Sequence, residues 1–344
     1  MTKFTVFDGH NDLLSCLLHE GDSTGGSFIS GRPGDLDLQK CRAGGFAGGF
    51  FAVWCSNDPS RSPDPTAKFR AFPAIDVTLA RQETTAQIAG LIRLTTAHPH
   101  AIRLCRSAPE IEAARAAGAI AALLHIEGCE AIGADLNELY LYHAAGLRSL
   151  GPVWSRPNIF GHGVPFNHPA SPDIGPGLTD EGKALLRACN QMNILFDLSH
   201  LNEAGFWDVA KLSTKPLVAT HSNAHAITAS TRNLTDRQLD AVAASGGLVG
   251  VNFGCQFLRP DGIKRSDTPL SDILRHLDYL LEKLGENGVA LGSDFDGALM
   301  PDALNDASRL PDLIKAMQDA GYGQALIHRL TWQNWLDVLA RTIA

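Results

Sequence analysis

The sequence has little positive charge and nowhere gathers it: Lys and Arg number 29 against 37 Asp and Glu, a formal net charge of −8. Phosphate backbones and anionic membranes are gripped by clustered Lys and Arg, so neither is expected as a partner. Cysteine builds no framework either. The seven residues, Cys16, Cys41, Cys55, Cys105, Cys129, Cys189 and Cys255, are scattered with no CxxC pair. That argues against a zinc knuckle or a redox dithiol, and the odd count argues against a fold built purely on disulfides. No segment approaches the roughly 18 apolar residues of a membrane span. The start, from Met1 to Phe7, runs straight into strand-like residues without an apolar leader or a small-residue cleavage site. A hydrophobic share of 44% with 19% charged residues is enough to bury a substantial core. The expectation is a soluble cytoplasmic protein that acts on a small molecule, with homo-oligomerisation left open.

What is present is repetition of strand and helix. Eight short β-rich runs end in polar clusters: 5–8, 45–53, 120–126, 147–153, 194–198, 217–220, 248–253 and 289–293. Amphipathic helices are expected between them, over 80–97, 136–145, 180–192 and 270–284, with starts at Thr179-Asp180-Glu181 and Ser271-Asp272. Three long Pro- or Gly-rich stretches, 56–73, 155–176 and 259–269, each follow a strand and read as βα loops that would build a substrate pocket. The tail from Gly321 reads as a packing helix with Leu326, Leu330, Trp335, Leu339 and Ile343 at core spacing. A length of 344 residues allows one barrel or two smaller domains. The βα pattern favours a single (β/α)₈ barrel over 1–344.

Chemistry collects at the run ends. The first closes in Asp8-Gly9-His10-Asn11-Asp12, where alternation aims His10 and Asp12 the same way, although a turn with satisfied polar groups would look alike. The run through Leu124 and Ile126 delivers Glu127 followed by Gly128, and a buried Glu is costly unless paired or metal-bound. Later runs end in Asp197-Leu198-Ser199-His200, in Thr220-His221-Ser222-Asn223, and in Ser293-Asp294-Phe295-Asp296. Barrel strands point their C-terminal ends at one mouth, so His10, Asp12, Glu127, His200, His221 and Asp294 would converge there. Nitrogen and oxygen donors without Cys suit Zn²⁺, Mn²⁺, Co²⁺ or Fe²⁺, and a shared carboxylate suits a pair of ions. The implied chemistry is metal-assisted hydrolysis. His125 reads as a hydrogen-bonded core His or a support for the site, His225 and Asn223 as possible pocket residues, and Cys129 as a bystander.

These motifs, with Thr231-Arg232-Asn233, Gly292-Ser293-Asp294-Phe295-Asp296-Gly297 and a closing Trp332-Gln333-Asn334-Trp335, resemble the membrane dipeptidase (renal dipeptidase) family over nearly the whole chain. The resemblance implies a (β/α)₈ barrel with two divalent ions, zinc foremost, that hydrolyses small dipeptides, commonly L-Xaa-D-Xaa. It implies that His10 and Asp12 hold one ion with Asp294, that His200 and His221 hold the other, and that Glu127 bridges both. A bridging hydroxide would attack the scissile carbonyl, and Asp294 would pass a proton to the leaving amine. Arg232 would meet the substrate carboxylate; the alternative is an ion pair with Asp236 at a helix start.

Two positions depart from the animal members. Their oxyanion His is replaced by Trp154 in Val153-Trp154-Ser155, which leaves His162 in the next loop as the candidate donor, or else as a surface His. An expected Tyr is Gly254, which would remove one substrate contact. Asn223 is also expected to contact substrate. Two rival readings stay open: hydrolysis of a lactone or cyclic amide on the same metals, and a binding barrel that has lost its chemistry.

Overall fold

A computed structural model describes residues 4–57 and 72–343. Nine strands are present among them: β1 (Val6–Asn11), β2 (Phe46–Trp54), β3 (Ile102–Leu104), β4 (Ile120–Glu127), β5 (Leu147–Gly151), β6 (Leu195–Phe196), β7 (Val218–Ala219), β8 (Leu248–Val251) and β9 (Val289–Leu291). They pair in parallel as β1-β2-β4-β5-β6 and as β7-β8-β9. Parallel bridges Asp197 to Val218 and Asn11 to Phe295 join the two arcs, so eight strands close a barrel. The ring strands are those expected from the β-rich runs.

The ninth strand, β3, was not expected. It pairs only with the first three residues of β4, and β5 takes over that edge from Leu124 onward, so β3 lies outside the ring. Three residues are too few to show a period. The ladders of β5, β6, β8 and β9 also stop earlier than the runs suggest. The residues after each strand turn out of the ladder to reach the site, and His200 and Asp294 do so with left-handed φ of 68° and 65°. Non-glycine residues hold that conformation only when their surroundings impose it.

Helices fill the crossovers. Two match their expected bounds, Asp180–Met192 and Leu270–Leu284; Val77–Ala97 starts three residues early and Asn137–Ala145 one residue late. Thr179 caps the first of these by accepting from the Gly182 amide, with Asp180 and Glu181 in the first turn at the positive end of the dipole. Short helices such as Leu13–His19, Ala108–Ala116 and Glu203–Leu212 were not anticipated. Of the three long loops, 155–176 and 259–269 are described and lack regular elements, whereas most of 56–73 lies outside the described residues.

The tail plugs the barrel. Trp332 and Trp335 pack with Phe7, Phe50, Leu123, Leu195, Val218 and Leu248 in one buried cluster, with Phe50 4.9 Å from Trp335 and Phe7 5.9 Å from Trp332, centroid to centroid. Trp335 Nε1 donates to the Leu291 carbonyl at 2.9 Å, which satisfies its only polar atom. Around it the strands come close: a Cβ on Gly250 or Gly292 would lie 2.0 Å from the Thr220 carbonyl oxygen. With this interior filled, the opposite strand ends are left for chemistry. Trp335→Ala should cost about 3–5 kcal/mol in urea unfolding, the range for emptying a core of a large aromatic; a loss below about 1 kcal/mol would mean the plug is not part of the core.

Candidate metal centre and its cleft

The C-terminal ends of β1, β4, β6, β7 and β9 bring His10, Asp12, Glu127, His200, His221 and Asp294 into one buried knot. Donor atoms of three overlapping trios each lie within 4.8 Å of one another: His10, Asp12 and Glu127; Glu127, His200 and His221; His10, His221 and Asp294. Glu127 Oε1 sits at the middle, 3.7 Å from His10 Nε2, 2.9 Å from His200 Nε2 and 3.2 Å from His221 Nε2. Yet Glu127 Oε1 and both ring nitrogens of His10 make no hydrogen bond. Buried polar atoms are rarely left so, and a cluster of them facing one point fits cations that the donors would coordinate.

The imidazoles are set for that role from behind. Thr220 Oγ1 donates to Asp197 Oδ2 at 2.6 Å and stands 2.8 Å from His221 Nδ1. Its one proton is committed to the carboxylate, so it accepts from His221 Nδ1–H, and the Nε2 lone pair faces the centre. Ser155 Oγ stands 2.7 Å from His200 Nδ1 and holds that ring in place. Asp197 also takes the amides of Ser199 and Thr220, which ties β6 to β7 beneath both ligands. Asn252 Nδ2 donates to Asp294 Oδ2 at 2.9 Å. Gly128, at φ 87°, makes the turn after Glu127.

Burial governs the protonation of this knot. Desolvation pushes Glu127 up to about 8 and Asp294 up to about 6, each opposed by the nearby His10. For His10, burial lowers the pKa, but Glu127, Asp12 and Asp294 outweigh it and lift the ring well above its ordinary value. Both shifts favour protons on Glu127 and on His10 in the metal-free knot. Desolvation, the largest cause, drives His200 and His221 well below the ordinary range, so both are neutral and ready to ligate.

Other expected residues sort differently. Arg232 is buried, with Nη2 donating to the His221 carbonyl at 2.9 Å, Nη1 to Ser222 Oγ at 3.4 Å, and Nε without a partner. Its suggested ion pair with Asp236 does not form, because Asp236 is taken by Tyr279 and Lys283. Asn223 is not a pocket residue: its amide donates to the Asn252 and Phe257 carbonyls and accepts from the Asn252 amide, so it anchors the strand end that holds Asp294. His162 stays out of the cleft as well. Its carbonyl accepts from the Asn202 amide, and its ring lies near Gly175. His225 bonds to the Ala170 carbonyl, and Asp296 is held by Arg32 at 2.6 Å and by the Asp35 amide at 2.7 Å. His125, 2.9 Å from Ser149 Oγ, is a core His beneath the site. Cys129 is buried on the Gly151 carbonyl.

A cleft of about 790 Å³ opens over the knot. Asp12, Ser15, Asp294 and Asp296 form a polar group in its lining; Trp54, Phe72, Trp154, Phe166 and Phe257 form an aromatic one; His168 and Lys264 also face it. The aromatic group and His168 escaped sequence reading, since rings drawn from several loops leave no local pattern. The replacement at Trp154 was the only signal.

The family model described as membrane dipeptidase (peptidase family M19) matches residues 1–343. An uncharacterised protein of the pqqA 5′ region in Klebsiella pneumoniae is 50% identical over 253 residues, 74% of this chain and 93% of that protein. The dipeptidase ataJ of Aspergillus terreus is 28% identical over 98% of this chain and 85% of its own length. A metallo peptidase from Rhodobacter sphaeroides, solved with a phosphinate mimic of the dipeptide L-Ala-D-Ala, superposes with a TM-score of 0.94 at 46% identity over 99% of each chain. Among the described residues no helix is long and apolar enough to cross a membrane.

Two measurements probe the knot. A Cβ on Gly297 would lie 2.0 Å from Asp12 Oδ2 and 2.6 Å from Asp294 Oδ1, so Gly297→Ala should lose bound metal while its far-UV circular dichroism is unchanged. Full metal content in the variant would contradict the placement of those carboxylates. Divalent metal added to metal-free protein at pH 7 should release about one proton or more, because ions displace the protons held on Glu127 and His10, and affinity should rise with pH from 6 to 8. Calorimetry in buffers of different ionisation enthalpy reads the count, and proton-neutral binding would refute it.

Proposed function

The chain belongs to the membrane dipeptidase family, and from that premise we propose that it is a dinuclear metallodipeptidase that hydrolyses small dipeptides of the L-Xaa-D-Xaa kind. The observation that carries this reading is the convergence of His10, His200 and His221 on Glu127 Oε1, with that oxygen and both His10 ring nitrogens left without a hydrogen bond. His10, Asp12 and Asp294 would hold one ion, His200 and His221 the other, and Glu127 both. The donor set of imidazole and carboxylate suits zinc best among common divalent ions. When bound, such a pair supplies an activated water at neutral pH and polarises a carbonyl.

The chain's own groups divide the remaining work. Asp294 Oδ2 is held by Asn252, which leaves Oδ1 to take a proton and deliver it to the leaving amine. Burial raises its pKa to about 6 in the metal-free protein, a shift that cations held beside it would oppose. Arg232 is a buried guanidinium with no carboxylate partner among the described residues, an arrangement that favours an incoming anion such as the substrate's C-terminal carboxylate. Phe257, whose ring centroid is 5.5 Å from the Arg232 guanidinium carbon, lines the cleft and Arg232 itself does not, so this contact would come at the edge of the bound dipeptide. The stereochemical preference is supported by the L-Ala-D-Ala mimic held by the Rhodobacter sphaeroides relative.

A panel of L-Ala-D-Ala, L-Ala-D-Glu and L,L controls beside lactones and hydantoins tests the reading directly. Turnover of the L,D dipeptides is expected, and failure on every dipeptide with both metals in place would sink it. Asp294→Asn should lower kcat by about 10²- to 10⁴-fold, the worth of a positioned proton carrier, in protein assayed at equal metal content. Unchanged kcat would remove Asp294 from the proton path.

A further inference from the structure

We infer that the aromatic side of the cleft is a specificity wall that selects dipeptides bearing one large apolar or aromatic side chain, with Trp154 and Phe166 as the deciding residues; this rests on the dipeptidase reading. The rings form a continuous surface. Trp154 meets Trp54 at 5.3 Å, Phe72 at 4.7 Å and Phe166 at 5.5 Å, and Phe166 meets Phe257 at 5.6 Å. The surface reaches the reacting centre, because Trp154 and Phe166 lie 5.9 and 6.1 Å from the His200 ring.

The wall is rigid from behind. Arg156, fully buried, sets its guanidinium 5.1 Å from Trp154 and 5.7 Å from Trp54. Its Nε donates to Glu130 Oε1 at 2.7 Å, Nη2 to the Cys55 carbonyl at 2.7 Å and Nη1 to Asn57 Oδ1 at 3.0 Å. The cation is therefore paired and spent behind the rings, which line the cleft. Asp12, Asp294 and Asp296 line the same cleft and offer nothing to an apolar group. A substrate whose scissile carbonyl sits at Glu127 and His200 has one side chain within reach of Trp154 and Phe166. A methyl there leaves the exposed parts of Trp54, Phe72 and Phe166 in water, whereas a phenyl or isobutyl group covers more of them.

The test uses metal-loaded protein and kcat/KM for L-Ala-D-Ala, L-Phe-D-Ala, L-Ala-D-Phe, L-Leu-D-Ala and L-Ala-D-Leu. At least one bulky substrate should exceed L-Ala-D-Ala by ~10-fold or more, the scale of discrimination by a hydrophobic pocket. In Trp154→Ala and in Phe166→Ala that ratio should fall towards one, through KM. A merely structural role would depress all substrates alike and leave the ratio standing, which would overturn the wall, as would a wild-type preference for L-Ala-D-Ala. Cleavage of L-Ala-D-Ala without preference overturns the wall alone; absence of any dipeptide cleavage overturns the dipeptidase reading and the wall with it.

Discussion

Three carboxylates and three imidazoles packed out of water in one knot, with Glu127 Oε1 within 3.7 Å of all three rings, are the constraint on which the rest of this structure turns. Three negative charges at such distances repel, and desolvation adds to the cost, as the upward shifts of Glu127 and Asp294 express. Protons relieve the cost in the metal-free protein, and divalent cations would relieve it more fully. A knot so unfavourable when empty persists only because the surrounding fold imposes it.

The barrel imposes it in two ways. At one end Trp332 and Trp335 fill the interior, and glycines let the strands close on the Thr220 carbonyl. At the other, strands stop early and spend left-handed turns at His200 and Asp294 to aim their side chains inward. Hydrogen bonds of Thr220 with Asp197 and His221, of Ser155 with His200 and of Asn252 with Asp294 then fix those three donors. Positioning is thus shared between backbone strain and a shell of neutral and anionic partners, which lets the ligands be rigid before any cation arrives.

Legibility in the sequence followed the range of the interactions. The eight ring strands and the six converging residues stand out because each is a local motif: an apolar run that closes in His, Asp or Glu. The three-residue β3 has no such run, and the rings of the cleft, Trp54, Phe72, Trp154, Phe166 and Phe257, come from distant segments whose meeting is a tertiary fact. Asn223 and His162 show the opposite limit. Both lie near conspicuous motifs, but one side-chain amide is bonded to backbone groups and the other ring is not among those that line the cleft. Arg232 was ambiguous in sequence because its pairing with Asp236 was sterically plausible; Lys283 and Tyr279, over forty residues away, take that carboxylate instead.

The central claim is that Glu127 is shared by two cations. Crystals of the protein grown with zinc and measured on either side of the zinc absorption edge test it most directly. Two anomalous peaks about 3.5–4 Å apart, both touching the Glu127 carboxylate, are the predicted result. A single peak, or a pair in which one ion does not contact Glu127, would contradict it.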